Sequence, residues 1–103
     1  RDAVRAVRAL GLAGLNVTVP HKERIAAMLD ETTARAKMIG AVNTVYRRGD
    51  MLLGDNTDAT GFLRALKDAD FRPRKRRALV IGAGGAARAV VAALHDGGAR
   101  AIL

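Results

Sequence analysis

With 103 residues and a formal charge of +8, from 18 basic against 10 acidic side chains, the chain has room for one small domain or parts of two, and raises the question of a polyanionic partner. Half of its residues are apolar and only 3% aromatic, which excludes a disordered tail and suits an Ala-, Val- and Leu-rich α/β protein. Without cysteine there is no disulfide framework, thiol nucleophile or thiolate metal site, a usage compatible with the cytoplasm, where we expect the protein to work.

The longest apolar run, Ala78 to Ala87, falls well short of the roughly 20 residues of a membrane helix, so no membrane partner is expected. The chain has no initiator Met, starts inside a helical pattern and stops in a strand pattern, and is expected to be the middle of something longer.

Val4, Val7 and Leu10 recur at helical spacing ahead of Gly11, a helix stop. Leu15 to Val19 reads as a strand with Val17 and Val19 on one face and Asn16 and Thr18 on the other. Pro20 suits the first turn of a helix running to Leu29, with Ile25, Met28 and Leu29 on one side. Lys22 then stands just past the strand's carboxyl end, where ligands of open α/β sheets bind.

A second short helix is predicted over Thr33 to Met38, carrying Ala34 and Met38 four apart and ending near Gly40. Ala41 to Arg47 and Met51 to Gly54 read as strands joined by a turn at Gly49 and Asp50. Thr57 to Ala69 reads as a helix with Phe62, Ala65, Leu66 and Ala69 on one face. Beyond Pro73, a strand over Arg77 to Ile81, a helix over Gly85 to His95 stopped by Gly97 and Gly98, and a strand over Ala99 to Leu103 begin a parallel βαβ unit. The expected boundary lies near Arg72 to Lys75, where the composition changes.

Much of the excess charge sits in Arg72, Arg74, Lys75, Arg76 and Arg77. Tyr46, Phe62 and Phe71 are too few and too scattered to stack bases, so this run reads as a solvated connection and nucleic acid is the lesser alternative.

Gly82, Ala83, Gly84, Gly85, Ala86 and Ala87 follow a predicted strand and open a predicted helix, matching the dinucleotide fingerprint with Ala in its last small position. Gly82 allows the tight turn, Gly84 lets backbone approach a pyrophosphate, and free N–H groups at the helix start face the anion. Arg88 either adds charge to this site or is solvated. The residue that would separate NAD from NADP lies about 20 positions further on, so the motif alone leaves the cofactor open.

Asn16, Thr18, Lys22, Asn43 and Asp58 each fall at or just past a predicted strand or helix edge. Singly, Lys22 reads as a solvated charge, Asp58 as a carboxylate complementing a helix dipole, and Asn43, Asn56 and Thr57 as turn or cap residues. Together, a lysine and a carboxylate within hydrogen-bond reach can pass a proton to or from a substrate hydroxyl, while amide and hydroxyl groups orient a polyhydroxylated ring. Neither His21 nor His95 has a second ligand at metal spacing, so no metal site is assigned.

Asn-Val-Thr-Val-Pro-His-Lys (16 to 22), Gly-Ala-Val-Asn-Thr (40 to 44), Gly-Asp-Asn-Thr-Asp (54 to 58) and Gly-Ala-Gly-Gly-Ala-Ala-Arg (82 to 88) together resemble the shikimate dehydrogenase family, quinate/shikimate enzymes included. The resemblance implies an amino-terminal α/β substrate domain, here 1–72 with the interdomain helix, followed at 73–103 by the start of a Rossmann-type NADP-binding domain. It implies NADPH-dependent, reversible reduction of 3-dehydroshikimate to shikimate in aromatic amino-acid biosynthesis, with NAD not excluded and a homodimer open.

In that family the lysine matching Lys22 is the acid/base, the aspartate matching Asp58 is its partner and a substrate ligand, and the residues matching Thr18 and Asn43 hold substrate hydroxyls, with Asn16 in support. Gly82, Ala83, Gly84, Gly85 and Ala86 match the cofactor turn. Ala59 stands where many members have Gly. The family's amino-terminal hydroxyl pair, ribose-phosphate loop and carboxyl-terminal helices are not matched, so the 103 residues alone are expected to lack a complete active site. The alternatives are a quinate-preferring relative using NAD or NADP, and a non-enzymatic basic nucleic-acid-binding module.

Overall fold

The computed structural model describes residues 1–102, and divides into two compact units, one spanning Arg1–Asn56 and the other starting at Thr57. In the first, helix α1 (Asp2–Ala9) buries Val4 and Val7, a helical face three residues apart. It stops at Gly11, whose φ of 63° favours glycine, and Leu12 N–H reaches back to Val7 O at 3.0 Å.

The first unit's sheet has four strands in the order β1-β3-β4-β2. β1 (Gly14–Asn16) runs antiparallel to β3 (Thr44–Arg48), β3 antiparallel to β4 (Met51–Asp55), and β2 (Glu31–Thr32) parallel to β4. The predicted turn at Gly49 and Asp50 joins β3 to β4, with Arg48 opposite Met51. Val4, Val7, Val17, Ile25, Ala36, Val42, Val45 and Leu52 form the core on this sheet.

Four expectations fail in this unit. β1 ends at Asn16, short of the predicted Val19; Val17 is buried, but Val19, expected on the same face, is 72% exposed and precedes a cis peptide to Pro20. Proline has no N–H to extend a ladder.

No α-helix spans Pro20 to Leu29. Turns link His21 N–H to Thr18 O and Arg24 N–H to His21 O, and only a 3₁₀ helix, Ile25–Met28, follows. The reason is tertiary: Lys22 O, which an α-helix would give to Ala26 N–H, accepts Val42 N–H at 2.7 Å.

Ala41 to Asn43 is likewise not strand, because Ala41 N–H bonds back to Ala36 O and Val42 N–H bonds to Lys22 O. Helix α2 (Ala34–Ile39) forms where expected, capped by the Thr33 hydroxyl and ended by Gly40 in the left-handed region. Its buried face is Ala36 and Ile39, not Ala34 and Met38; Met38 is exposed.

The second unit begins with α3 (Asp58–Asp68), close to the predicted span; Ala59 is buried, Phe62 and Leu66 are half-buried, and Ala65 and Ala69 are exposed. A βαβ unit follows: β5 (Arg77–Ala78), α4 (Gly85–Asp96) and β6 (Ala101–Ile102), with Arg77 opposite Ala101 in the expected parallel sense.

β5 is shorter than predicted, since β6 is its only partner among the described residues, and Leu79 and Ile81 are exposed. Leu103, the predicted end of the last strand, lies outside the described residues. A Cβ on Gly97 would meet the Pro73 ring and Leu63, so α3 and the chain after it pack on the end of α4. The compact units therefore part before α3, ahead of the composition change at Arg72. No helix among the described residues is long and apolar enough to cross a membrane.

Candidate functional site

The first unit brings Thr18, Lys22 and Asn43 to one corner of its sheet. Val17 N–H donates to Asn43 O at 2.7 Å, and Val42 N–H donates to Lys22 O at the same distance. The segments 16–22 and 41–44 are thus stitched from both ends, although 18 residues separate them in sequence. Asn16 stands opposite Thr44 in the β1–β3 register, and Asn43 N–H donates to Asp55 O at 3.0 Å.

Burial sorts these side chains. Thr18 and Asn16 are exposed, and both line a cavity of about 580 Å³ shared with α1, His21, Ile25 and Met28. His21, which the sequence left without a role, stands in this wall. Lys22 and Asn43 are half-buried and lie outside it. The Asn43 carboxamide is oriented by the Thr44 hydroxyl, which donates to Asn43 Oδ1 at 2.8 Å. Side chains fixed in this way present polar atoms in defined directions, as recognition of ring hydroxyls requires.

Beneath the corner lies a polar network that spacing does not reveal. Asp55 Oδ1 accepts the Thr33 hydroxyl at 2.6 Å and Asn56 N–H at 2.7 Å, and Thr33 Oγ1 accepts Ala36 N–H as the α2 cap. Asn56 is 2% exposed and donates from Nδ2 to Ala41 O at 3.0 Å. The only signal in the sequence is the polar run 55–58, and it does not say which member is buried.

Asp58 is half-buried in the first turn of α3, a position that suits a carboxylate. Thr57 holds the cap position there without a side-chain cap bond. Further along this unit, Gly82 has φ 132°, a conformation L side chains rarely adopt, and Gly84 caps α4 in an extended conformation.

Gly82, Ala83 and Gly84 present exposed backbone, Gly85 is buried and Ala86 exposed. Arg88 folds back over the turn, with Nε donating to Ala83 O at 3.2 Å, so its charge stays beside the helix start. Exposed small-residue backbone, amides that begin a helix of 12 residues and an adjacent guanidinium suit the pyrophosphate of a dinucleotide. Among the described residues no group of His, Cys, Asp or Glu is placed to hold a metal ion.

An α/β unit with a mixed sheet followed by a parallel βαβ unit with a glycine turn defines a class, and comparison with known proteins narrows it. Residues 1–45 match the family model described as the shikimate dehydrogenase substrate binding domain. The shikimate dehydrogenase (NADP(+)) of Geobacter metallireducens is 55% identical over 103 residues, covering 99% of this chain and 36% of that protein.

Shikimate dehydrogenase 1 of Peptoclostridium difficile superposes with a TM-score of 0.92 at 40% identity, over 98% of this chain and 37% of that one. The Thermus thermophilus enzyme solved with NADP(H) and shikimate superposes at 0.88 with 41% identity, over 98% and 38%. Over nearly its whole length the chain is thus similar to shikimate dehydrogenases. It spans about a third of the length of these relatives.

Proposed function

We propose that this chain is the substrate-binding part, and the opening of the cofactor-binding part, of an NADP-dependent shikimate dehydrogenase acting in the cytoplasm. The complete protein would reduce 3-dehydroshikimate to shikimate reversibly in aromatic amino-acid biosynthesis. Residues 1–72 serve the substrate and 73–103 begin the cofactor domain, with α3 as the connecting helix. The observation that carries this reading is the double stitch between 16–22 and 41–44, which gathers Thr18, Lys22 and Asn43 at one corner.

Thr18 and Asn43 hold the hydroxyls of the substrate ring. Lys22 gives a proton from Nζ to the carbonyl oxygen of 3-dehydroshikimate, and takes it back from the shikimate hydroxyl in the reverse direction. Asp58 accepts a hydrogen bond from the same hydroxyl and holds the lysine charge. Gly82, Ala83, Gly84, Gly85 and Ala86 hold the pyrophosphate of the dinucleotide, whose nicotinamide supplies the hydride when bound. NADP, rather than NAD, is supported by the names of the relatives.

The test is steady-state kinetics on the complete protein that carries this chain, with shikimate and quinate each assayed with NADP and NAD. The highest kcat/KM is expected for shikimate with NADP. A higher value for quinate would replace the substrate assignment. Lys22→Ala is expected to lower kcat by about 10²- to 10⁴-fold, with a smaller change in KM. The isolated 103 residues are expected to be inactive.

A further inference from the structure

We propose that Asn56 is a positioning residue for this reaction: its buried carboxamide clamps the Ala41–Asn43 segment, and through that segment holds Lys22 and Asn43 in register. The proposal rests on the functional reading above and adds a residue to it.

Ala41 to Asn43 has no regular secondary structure, yet its backbone groups bond in several directions. Ala41 N–H goes to Ala36 O, Val42 N–H to Lys22 O and Asn43 N–H to Asp55 O, while Asn43 O accepts Val17 N–H. Ala41 O takes its bond from a side chain, Asn56 Nδ2. Both Ala41 and Asn56 are 2% exposed, so water cannot readily stand in for that donor.

Asn56 is itself held, because its N–H donates to the Asp55 carboxylate, which also receives the Thr33 hydroxyl. The clamp thus links the α2 cap, the end of β4 and the segment whose Val42 N–H holds the Lys22 carbonyl. Releasing it would let 41–43 shift, and Lys22 and Asn43 would shift with it. A misplacement of about 1 Å can cost about 100-fold in rate.

The experiment compares Asn56→Ala, Asn56→Ser and Lys22→Ala with the wild type in the complete protein, with folding checked by circular dichroism. For folded Asn56→Ala, kcat is expected to fall about tenfold or more, with the NADP KM within about twofold and the kcat/KM pH profile displaced. Asn56→Ser, which keeps a short hydroxyl donor, is expected to recover part of the loss. An unchanged kcat and pH profile in folded Asn56→Ala, with Lys22→Ala inactive, would overturn the positioning role alone. An active Lys22→Ala would overturn the functional reading with it. Should both Asn56 variants unfold, hydrogen exchange of the wild-type Val42 and Asn43 amides decides: exchange only through global opening supports the clamp, and fast local exchange contradicts it.

Discussion

The two compact units hold their candidate site residues in place by different means. In the first, Thr18, Lys22 and Asn43 owe their positions to bonds between segments far apart in sequence, backed by the buried Asn56 and the Asp55–Thr33 pair. In the second, the turn at Gly82 is shaped by its own φ of 132°, by the start of α4 and by Arg88 reaching back five residues. A corner built from tertiary bonds is exposed to damage anywhere along the sheet, whereas a glycine turn is exposed mainly to changes within itself.

That contrast can be broken most strongly at β1. A Cβ on Gly14 would strike the Val45 carbonyl oxygen and come within 3.0 Å of Tyr46 Cα, both backbone atoms of the neighbouring strand. Gly14→Ala should cost about 3 kcal/mol in chemical denaturation and weaken shikimate binding, while NADP affinity in the folded fraction holds. A loss confined to NADP would reverse the contrast.

Gly82→Ala should do the opposite. Strain of about 1–3 kcal/mol at the positive φ should raise the Kd for NADP about tenfold in a fluorescence titration, with shikimate affinity unchanged. Thr33→Val removes the α2 cap and the Asp55 hydrogen bond and should cost about 1 kcal/mol, read as a lowered Tm.

The smallest effect concerns acid. Asp30 lies below the ordinary carboxylate pKa, chiefly because Leu52 N–H donates to Oδ2 at 2.6 Å, and further because Arg8 donates to the same oxygen at 2.6 Å. With a folded pKa below the unfolded one, its contribution is present above the unfolded value and is lost as pH falls through the folded one. Asp30→Asn should therefore lower Tm slightly at about pH 6, with the difference shrinking as pH falls below the ordinary carboxylate value of about 4, in a thermal melt series from neutral into acid. An equal effect at both ends would mean that ionisation contributes nothing.

Local signals were legible in the sequence where local chemistry decides the conformation. Thr33 and Gly40 bracket α2, Gly49 and Asp50 turn the β3–β4 hairpin, and Gly82 to Gly85 lead into α4, all as their residue types require. Pro20 to Leu29 reads as α-helix but does not form one, because Val42 N–H, a distant donor, takes the carbonyl of Lys22. No periodicity within 20–29 encodes that bond.

The gathering of Thr18, Lys22 and Asn43 was legible only through their motifs, since each residue alone reads as a solvated or capping group. The burial of Asn56 was not legible at all, because Asp55, Asn56 and Thr57 look alike in a polar run while the fold sends only one inward.

The central claim is that Lys22 and Asp58 act as one proton-transfer unit. A double-mutant cycle in kcat on the complete protein, with Lys22→Ala, Asp58→Ala and the double variant, tests it most directly. The account predicts strong non-additivity, with the double variant about as slow as the slower single variant. Losses that simply multiply would contradict it.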